Sequence, residues 1–295
     1  MSHNQIINNS HISVLTNEIK DLVKNFVDNN LIKDTSYAID FTFGAGGHSK
    51  IILDNWYKNG KLIAIDRDPF TENFATKIKE EYKERFDYYN DISSNMKKYI
   101  KNNVRFILGD LGLSQMQLNN KRGFAYKDDS FLDMQMGVES LGSLASFLKT
   151  LSPFKIGEIL REYGEEPHWK KIANKIHEKK NTINTTGDLK EVIESILHKK
   201  EINKSLSRCF QAFRIFINGE LSILENTLKN AYDLLEDGGI MAIITFHSLE
   251  DRIVKLFFKE YLYETKIIYP SEEEITINSQ SRSAKLRVGK KIIKI

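Results

Sequence analysis

A glycine turn followed by a well-spaced acid carries the first chemical signal in this chain. Ala38-Ile39-Asp40-Phe41-Thr42-Phe43 runs into Gly44-Ala45-Gly46-Gly47-His48-Ser49, and Leu62-Ile63-Ala64-Ile65 runs into Asp66, 20 positions after Gly46. Glycines let a ligand approach the backbone, and an acid at the tip of the next strand accepts hydrogen bonds from ribose hydroxyls. The pattern is G-x-G-G, with Ser49 where a dinucleotide fold places its third glycine. That tilts the reading from NAD toward S-adenosylmethionine, which has a ribose and no phosphate. A structural turn with no ligand is the competing reading.

Asp110 adds a third acid. It follows the strand-like Val104–Leu108 in Gly109-Asp110-Leu111-Gly112. Asp40, Asp66 and Asp110 then fall at strand ends, where open α/β sheets bind ligands. An acidic rim suits a cationic sulfonium bearing an amino group; helix-capping or solvated acids are the alternative. Thr245-Phe246-His247-Ser248 ends a further strand at the same edge, so His247 is a candidate for substrate contact or proton traffic, or else a capping partner. Gln115–Leu118, Lys121–Phe124 and Phe131–Met136 follow Asp110 and could clamp a flat base, or pack as core with Met134 and Met136 as fillers. From Gln280 to Ile295 there are six basic residues and no acids. Arg282, Lys285 and Arg287, interleaved with serines, suit phosphate contacts or a solvated strand face.

Elements that position these residues are legible from periodicity. Apolar spacing from Val14 to Val27 is helical, with a stop at 30–34. Strands are expected at Tyr37–Phe41, Lys61–Ile65, Phe86–Tyr89, Val104–Leu108 and Ile240–Thr245, with helices at Ser49–Tyr57 and from Pro69 to about Tyr82. Alternating strands and helices predict a parallel sheet covered on both faces. From about Ser114 to Arg214 the alternation stops, and Leu144–Leu151, Ile156–Tyr163, Trp169–His177 and Leu189–Leu197 look helical, with Ser152 and Asp188 as caps. One long helix is expected over Phe210–Leu235, stopped by Gly238-Gly239. Ser248-Leu249-Glu250-Asp251 opens another helix, and Tyr261–Tyr269 pairs with Ala284–Ile295 as a hairpin. The expected organisation is an α/β domain, 1–113 and 215–295, interrupted by a helical domain at 114–214. That insertion holds 17 basic against 13 acidic residues.

The net charge of +3 is too small for a dedicated nucleic-acid coat, so partners must be argued from charge placement. The single cysteine, Cys209, excludes an intrachain disulfide or cysteine-rich metal site, and no metal is needed for the chemistry above. No apolar run reaches bilayer length and the first ten residues lack a signal core, so a cytoplasmic enzyme with no membrane partner is expected.

Taken in order, these segments resemble the bacterial S-adenosylmethionine-dependent methyltransferases that modify N4 of a decoding-site cytidine in small-subunit (16S) ribosomal RNA. The signposts are His11–Leu15, Phe43–Ser49, Ile65–Pro69, Asp110–Ser114, Gln117-Leu118, Arg122–Phe124, Leu132–Met134, Glu162–Glu166, Phe210–Arg214, Thr245–Arg252, Pro270–Glu274 and Arg282–Arg287. The resemblance implies a Rossmann-like methyltransferase sheet with an inserted helical domain. It implies cofactor contacts at Gly46, Gly47, His48, Asp66, Asp110 and Gln117. The chain departs from the pattern at Ser13 and Met116 (proline in the family), Gln115 (serine), Gln135 (arginine), Gly137 (aspartate) and Arg105-Phe106 (Asp-Gly), and lacks the family's aromatic residue near Ser93.

On this resemblance the activity is methyl transfer to cytosine N4 in ribosomal RNA, free or in the assembled small subunit. Asp110 or Ser114 would hydrogen-bond the amino group. Two alternatives stand beside it: an amino-methyltransferase for another nucleic acid, and a noncatalytic RNA-binding assembly factor. Asp110-Leu111-Gly112-Leu113 stands where DNA amino-methyltransferases carry an Asp-Pro-Pro-Tyr-like motif, which argues against DNA.

Overall fold

The computed structural model describes residues 13–29, 35–101, 103–137 and 142–292. The His11-Ile12 start of the first signpost, the helix stop at 30–34 and the last residues of the terminal hairpin lie outside them. Two compact units emerge. One gathers the described residues up to Asp66, Phe70–Gly112 and those from Leu228 onward; the other is Arg67–Pro69 with Leu113–Thr227.

The first unit is the sheet. Amphipathic α1 (Thr16–Asn29) buries Ile19, Leu22, Val23 and Phe26. The chain then alternates β1 (Tyr37–Asp40), α2 (Gly47–Asn55), β2 (Lys61–Asp66), α3 (Glu72–Tyr82), β3 (Phe86–Asn90) and β4 (Val104–Asp110). Near-continuous apolar runs such as Leu62–Ile65 and Phe106–Leu108 suit strands buried on both faces. The remaining strands are β5 (Leu235–Thr245), β6 (Leu262–Ile268) and β7 (Lys285–Lys291), in the order β3-β2-β1-β4-β5-β7-β6. The first five run parallel, and β7 lies antiparallel between β5 and β6. This is the methyltransferase sheet that the resemblance implied. Its topology reverses at β1–β4, so the switch point falls where Asp40 and Asp110 end their strands.

The second unit is helical, with α4 (Gln115–Asn119), α5 (Leu144–Thr150), α6 (Pro153–Gly164), α7 (Trp169–Lys179), α8 (Thr186–Glu194), α9 (Ile202–Asn218) and the first half of α10 (Glu220–Leu234). Each unit has its own apolar core. Phe86, Phe106, Leu62 and Ile52 sit in the sheet core, and Ile156, Leu160, Ile172 and Phe213 in the helical one.

Local details differ from the expected elements. The single helix over 210–235 is two helices, because Gly219 turns left-handed at φ +59° and caps α9. Gly238-Gly239 lie within β5, not beyond a helix end. Ser152 caps α6 as expected, but Thr185 caps α8, with Asp188 answering as the third helical residue of a capping box.

Candidate active site

Strand β1 delivers Asp40 to the sheet edge, and the chain turns back through the glycines into α2. Gly46 has φ +81°, and a Cβ there would fall 2.4 Å from Ile78 and 2.9 Å from the Phe43 ring. Only glycine fits both the dihedral and the space. Asp66, half-buried at the end of β2, accepts the Gly44 N–H at 2.7 Å. The acid read as a ribose acceptor therefore also holds the glycine loop against its strand.

Asp40 is a correction to the acidic rim. It is 1 % exposed, its Oδ2 accepts from Ser49 Oγ at 2.7 Å, and its Oδ1 accepts the Thr42 N–H at 3.1 Å. Burial pushes its carboxyl above the ordinary range, against the hydrogen bonds from Ser49 and Thr42. It ties the glycine turn to α2 and faces the protein interior.

Asp110 is different. Its N–H donates to Thr42 Oγ1 at 2.6 Å, which locks the end of β4 to the loop after β1. Its Oδ2 lies 3.4 Å from His48 Nδ1, while its Oδ1 is shut from solvent with no hydrogen-bond partner among the described residues. Burial pushes this carboxyl up to about 6; nearby His48 pulls the other way, and Asp40 and Glu250 add to the rise. His48 is buried at the start of α2, with Nε2 2.8 Å from the Val14 carbonyl oxygen. A carbonyl only accepts, so Nε2 carries the proton and Nδ1 is left facing Asp110. Sequence reasoning found both residues and missed Thr42, whose only signal was its place two residues beyond Asp40.

The second unit holds Ser114 and Gln117. Ser114 caps α4: its Oγ accepts the Gln117 N–H at 3.2 Å and its own N–H donates to Gln117 Oε1 at 3.0 Å. Gln117 Nε2 donates to the buried Asp68 at 2.9 Å, and Asp68 pairs with Arg122. Both polar ends of Gln117 are thus engaged in holding the loop after β4. The sequence placed Asp68 within the Ile65–Pro69 signpost without a role, because its partners Gln117 and Arg122 lie 49 and 54 residues away. Met134, Met136 and Phe124 are buried in the helical core, so they act as core filler and not as a base clamp. At Gly137 a Cβ would meet the Arg67 carbonyl at 2.9 Å, so the family's aspartate does not fit this loop without movement.

His247 follows its capping alternative, and Arg287 departs from both readings of the basic tail. His247 caps α11 (Ser248–Tyr261): its Nδ1 accepts the Glu250 N–H at 3.4 Å, and its Nε2 lies 3.0 Å from Glu250 Oε1. In the basic tail, Arg287 is 9 % exposed and donates to Asp251 at 2.7 Å, and Lys285 reaches the same carboxylate at 3.1 Å. Strand β7 has a neighbour on each side, so Arg287 is a buried ion pair and not a phosphate contact. Near Ser93, which opens a 3-10 turn (Ser93–Lys98), the half-buried apolar side chain is Ile92, one residue earlier.

The glycine loop, Asp66 and Asp110 thus lie along the ends of adjacent parallel strands of the methyltransferase sheet. The model of the MraW methylase family matches residues 8–292. The chain belongs to the MraW methylase family. It is 38 % identical over 306 residues to the ribosomal RNA small subunit methyltransferase H of Mycoplasmopsis synoviae, covering 96 % of this chain and 99 % of that one. A protein of the same name from Buchnera aphidicola is 39 % identical over 317 residues, covering 96 % and 98 %. A third, from a Wolbachia of Drosophila simulans, is 38 % identical over 296 residues, covering 94 % and 98 %.

As a member of the MraW family the chain is an S-adenosylmethionine-dependent methyltransferase, and its residues fit that cofactor. The loop at Gly46 has no room for a side chain, an acid ends β2 at Asp66, and an orphaned buried carboxylate oxygen on Asp110 calls for a positive or hydrogen-bond-donating neighbour. No helix among the described residues is long and apolar enough to cross a membrane.

Proposed function

We propose that this methyltransferase modifies the exocyclic N4 of a cytidine in the decoding region of small-subunit ribosomal RNA, in the cytoplasm. The observation that carries the chemistry is Asp110, with one oxygen beside His48 and the other buried and unpaired. The substrate class rests on the relatives' names and on the ordered motifs.

Cytosine N4 is a poor nucleophile, because its lone pair is delocalised into the ring. It must be held in line, and it must shed a proton as the new N–C bond forms. S-adenosylmethionine, when bound, supplies the methyl group as an electrophile on a positively charged sulfur. Backbone at Gly46 and Gly47 and the carboxylate of Asp66 hold that cofactor. Rotation of the partly exposed Asp110 carboxylate presents an oxygen that accepts a hydrogen bond from the amino group, which raises its electron density, and then takes the departing proton. A carboxyl pushed up to about 6 is ionised at neutral pH yet more basic than an ordinary aspartate. His48, anchored by Val14, stands with Nδ1 3.4 Å from the other oxygen of Asp110 and limits where that carboxyl group can turn. Ser114 and Gln117 shape the loop that follows β4. The helical unit, carrying the insertion's surplus of basic residues, guides the single-stranded substrate.

Incubation with methyl-labelled S-adenosylmethionine and either small-subunit particles or their extracted RNA tests this. Label in N4-methylcytidine is expected. Label in a C5-methyl, a ribose methyl or an adenine would refute the chemistry. No label anywhere, despite measured cofactor binding, would favour the noncatalytic assembly factor.

A further inference from the structure

Beside the end of β5 the sheet unit opens into a cavity of about 320 Å³, lined among others by His247, Asp251, Tyr269, Arg282 and Lys285. Its volume sits at the small end of ligand sites, which run from about 300 to 1,000 Å³. It suits one nucleotide and is too small for a folded RNA element.

Positive charge is in surplus there. Asp251 is the acid in the lining, and both Lys285 and Arg287 compensate it. Arg282 is exposed and forms no ion pair with any described residue. It is nevertheless well placed, because the turn that carries it is pinned by Ser281, which is fully buried and donates to the Asn278 carbonyl through both Oγ (2.7 Å) and N–H (3.0 Å). Tyr269, just past β6, is 60 % exposed, an aromatic face left in water at the mouth of the cavity. The start of α11 contributes little, since the Glu250 carboxylate and the His247 ring already occupy its first amides. The attraction must come from Arg282 and Lys285.

Position sets the occupant. In the sheet order β1-β4-β5-β7, Asp110 ends β4, the glycine loop follows β1 on one side, and this cavity follows β5 on the other. Asp110 pairs in register with Ile244, and Lys285 with Thr245, so the cavity begins about one strand spacing, roughly 5 Å, from the proposed proton acceptor. A single strand that places one base at Asp110 and continues along the sheet edge toward β5 brings its next residue to this cavity.

We infer that this cavity binds the nucleotide flanking the target cytidine, with its phosphate on Arg282 and Lys285 and its base stacked on Tyr269. The inference rests on the RNA reading above and extends it to a second subsite. Stacking on an aromatic face and a cationic contact to phosphate are the usual means of holding a single strand.

The test uses the full chain and a fluorescent single-stranded RNA spanning the target. Arg282→Ala is expected to weaken binding about fivefold to tenfold and to reduce the slope of log affinity against log salt by about 0.7, the value for one lost single-strand phosphate contact. Tyr269→Ala is expected to cost about tenfold, with Tyr269→Phe near wild type because the ring face remains. A neutral methylphosphonate at the linkage next to the target cytidine should weaken binding to the wild type and have no further effect on Arg282→Ala; inorganic phosphate as the true ligand would leave the two proteins equally sensitive to that linkage. On small-subunit particles the same variants should raise KM and leave kcat in place. Unchanged RNA affinity, salt slope and KM in both alanine variants would overturn the inference, as would Tyr269→Phe failing as badly as Tyr269→Ala. The two readings fail separately. Absence of N4-methylcytidine with these binding shifts intact removes the function and keeps the subsite; N4-methylcytidine with unshifted binding does the reverse.

Discussion

Asp110 and Asp251 sit toward the same end of one sheet and are both largely shielded from water, yet the protein treats them in opposite ways. Burial would raise Asp251, but the hydrogen bonds and charges of Arg287 and Lys285 overcome it and hold the carboxyl below its ordinary range. Among the described residues Asp110 has no arginine or lysine beside it. It has a histidine at 3.4 Å, two neighbouring acids and one oxygen with no partner, and it is pushed up to about 6. A buried acid given two cations becomes a structural tie. A buried acid given less than one becomes a group able to exchange a proton near neutrality.

The contrast predicts opposite responses to mutation. The largest effect belongs to Asp251→Ala, which strands the Arg287 guanidinium in a nearly closed site; a loss of about 3 kcal/mol is expected in denaturant unfolding of the sheet unit. Because the folded Asp251 is held low, its stabilisation is complete above the ordinary carboxylate range and is lost as pH falls through its depressed value. The deficit of the variant should therefore shrink in strong acid. A deficit that is constant with pH would mean that Asp251 packs but does not pair.

Next comes Asp66→Ala. Its carboxylate holds the Gly44 amide and is proposed to meet the ribose, so cofactor affinity should fall by about 1.5–3 kcal/mol in calorimetry. Unchanged affinity in a folded variant would end the ribose assignment.

The smallest change has the opposite sign. Asp110→Asn removes a charge that the fold does not want, so it should stabilise the protein by about 1–2 kcal/mol at pH 8, a value reduced from the full shift because 24 % of the side chain remains exposed. The raised carboxyl makes Asp110's own contribution to wild-type stability greatest below its ordinary value near 3.8 and lower once pH has risen through about 6. The gain of the variant should thus appear between those limits and vanish below them. A destabilised Asp110→Asn at pH 8 would show that the carboxylate is compensated after all.

The same two residues mark how much the sequence disclosed. Asp110 was legible, since a strand, a glycine and an acid at its tip are local features, as were the glycine turn and Asp66. Strands β1 to β4 followed from short apolar runs for the same reason. The fate of Arg287 was not legible: a basic residue on a strand faces water or a carboxylate according to which strands flank it, and β7 finds its neighbours, β5 and β6, by non-local pairing. Asp40 was misjudged for a related reason, because its partner Ser49 lies across the turn on α2. The break at Gly219 was hidden by apolar periodicity that runs on through both helices, although a glycine after Asn218 is itself a helix-stop signal.

Methyl transfer requires Asp110 to take the proton that cytosine N4 sheds. Single-turnover methyl transfer to small-subunit RNA, measured from pH 5 to 9 with saturating cofactor, tests that claim most directly. In the wild type the rate should climb with pH to a plateau with a midpoint at about 6. In Asp110→Asn that limb should disappear and the plateau fall by about 10²–10⁴, the range for losing a general base, while the cofactor still binds. The same limb and plateau in Asp110→Asn would contradict the account.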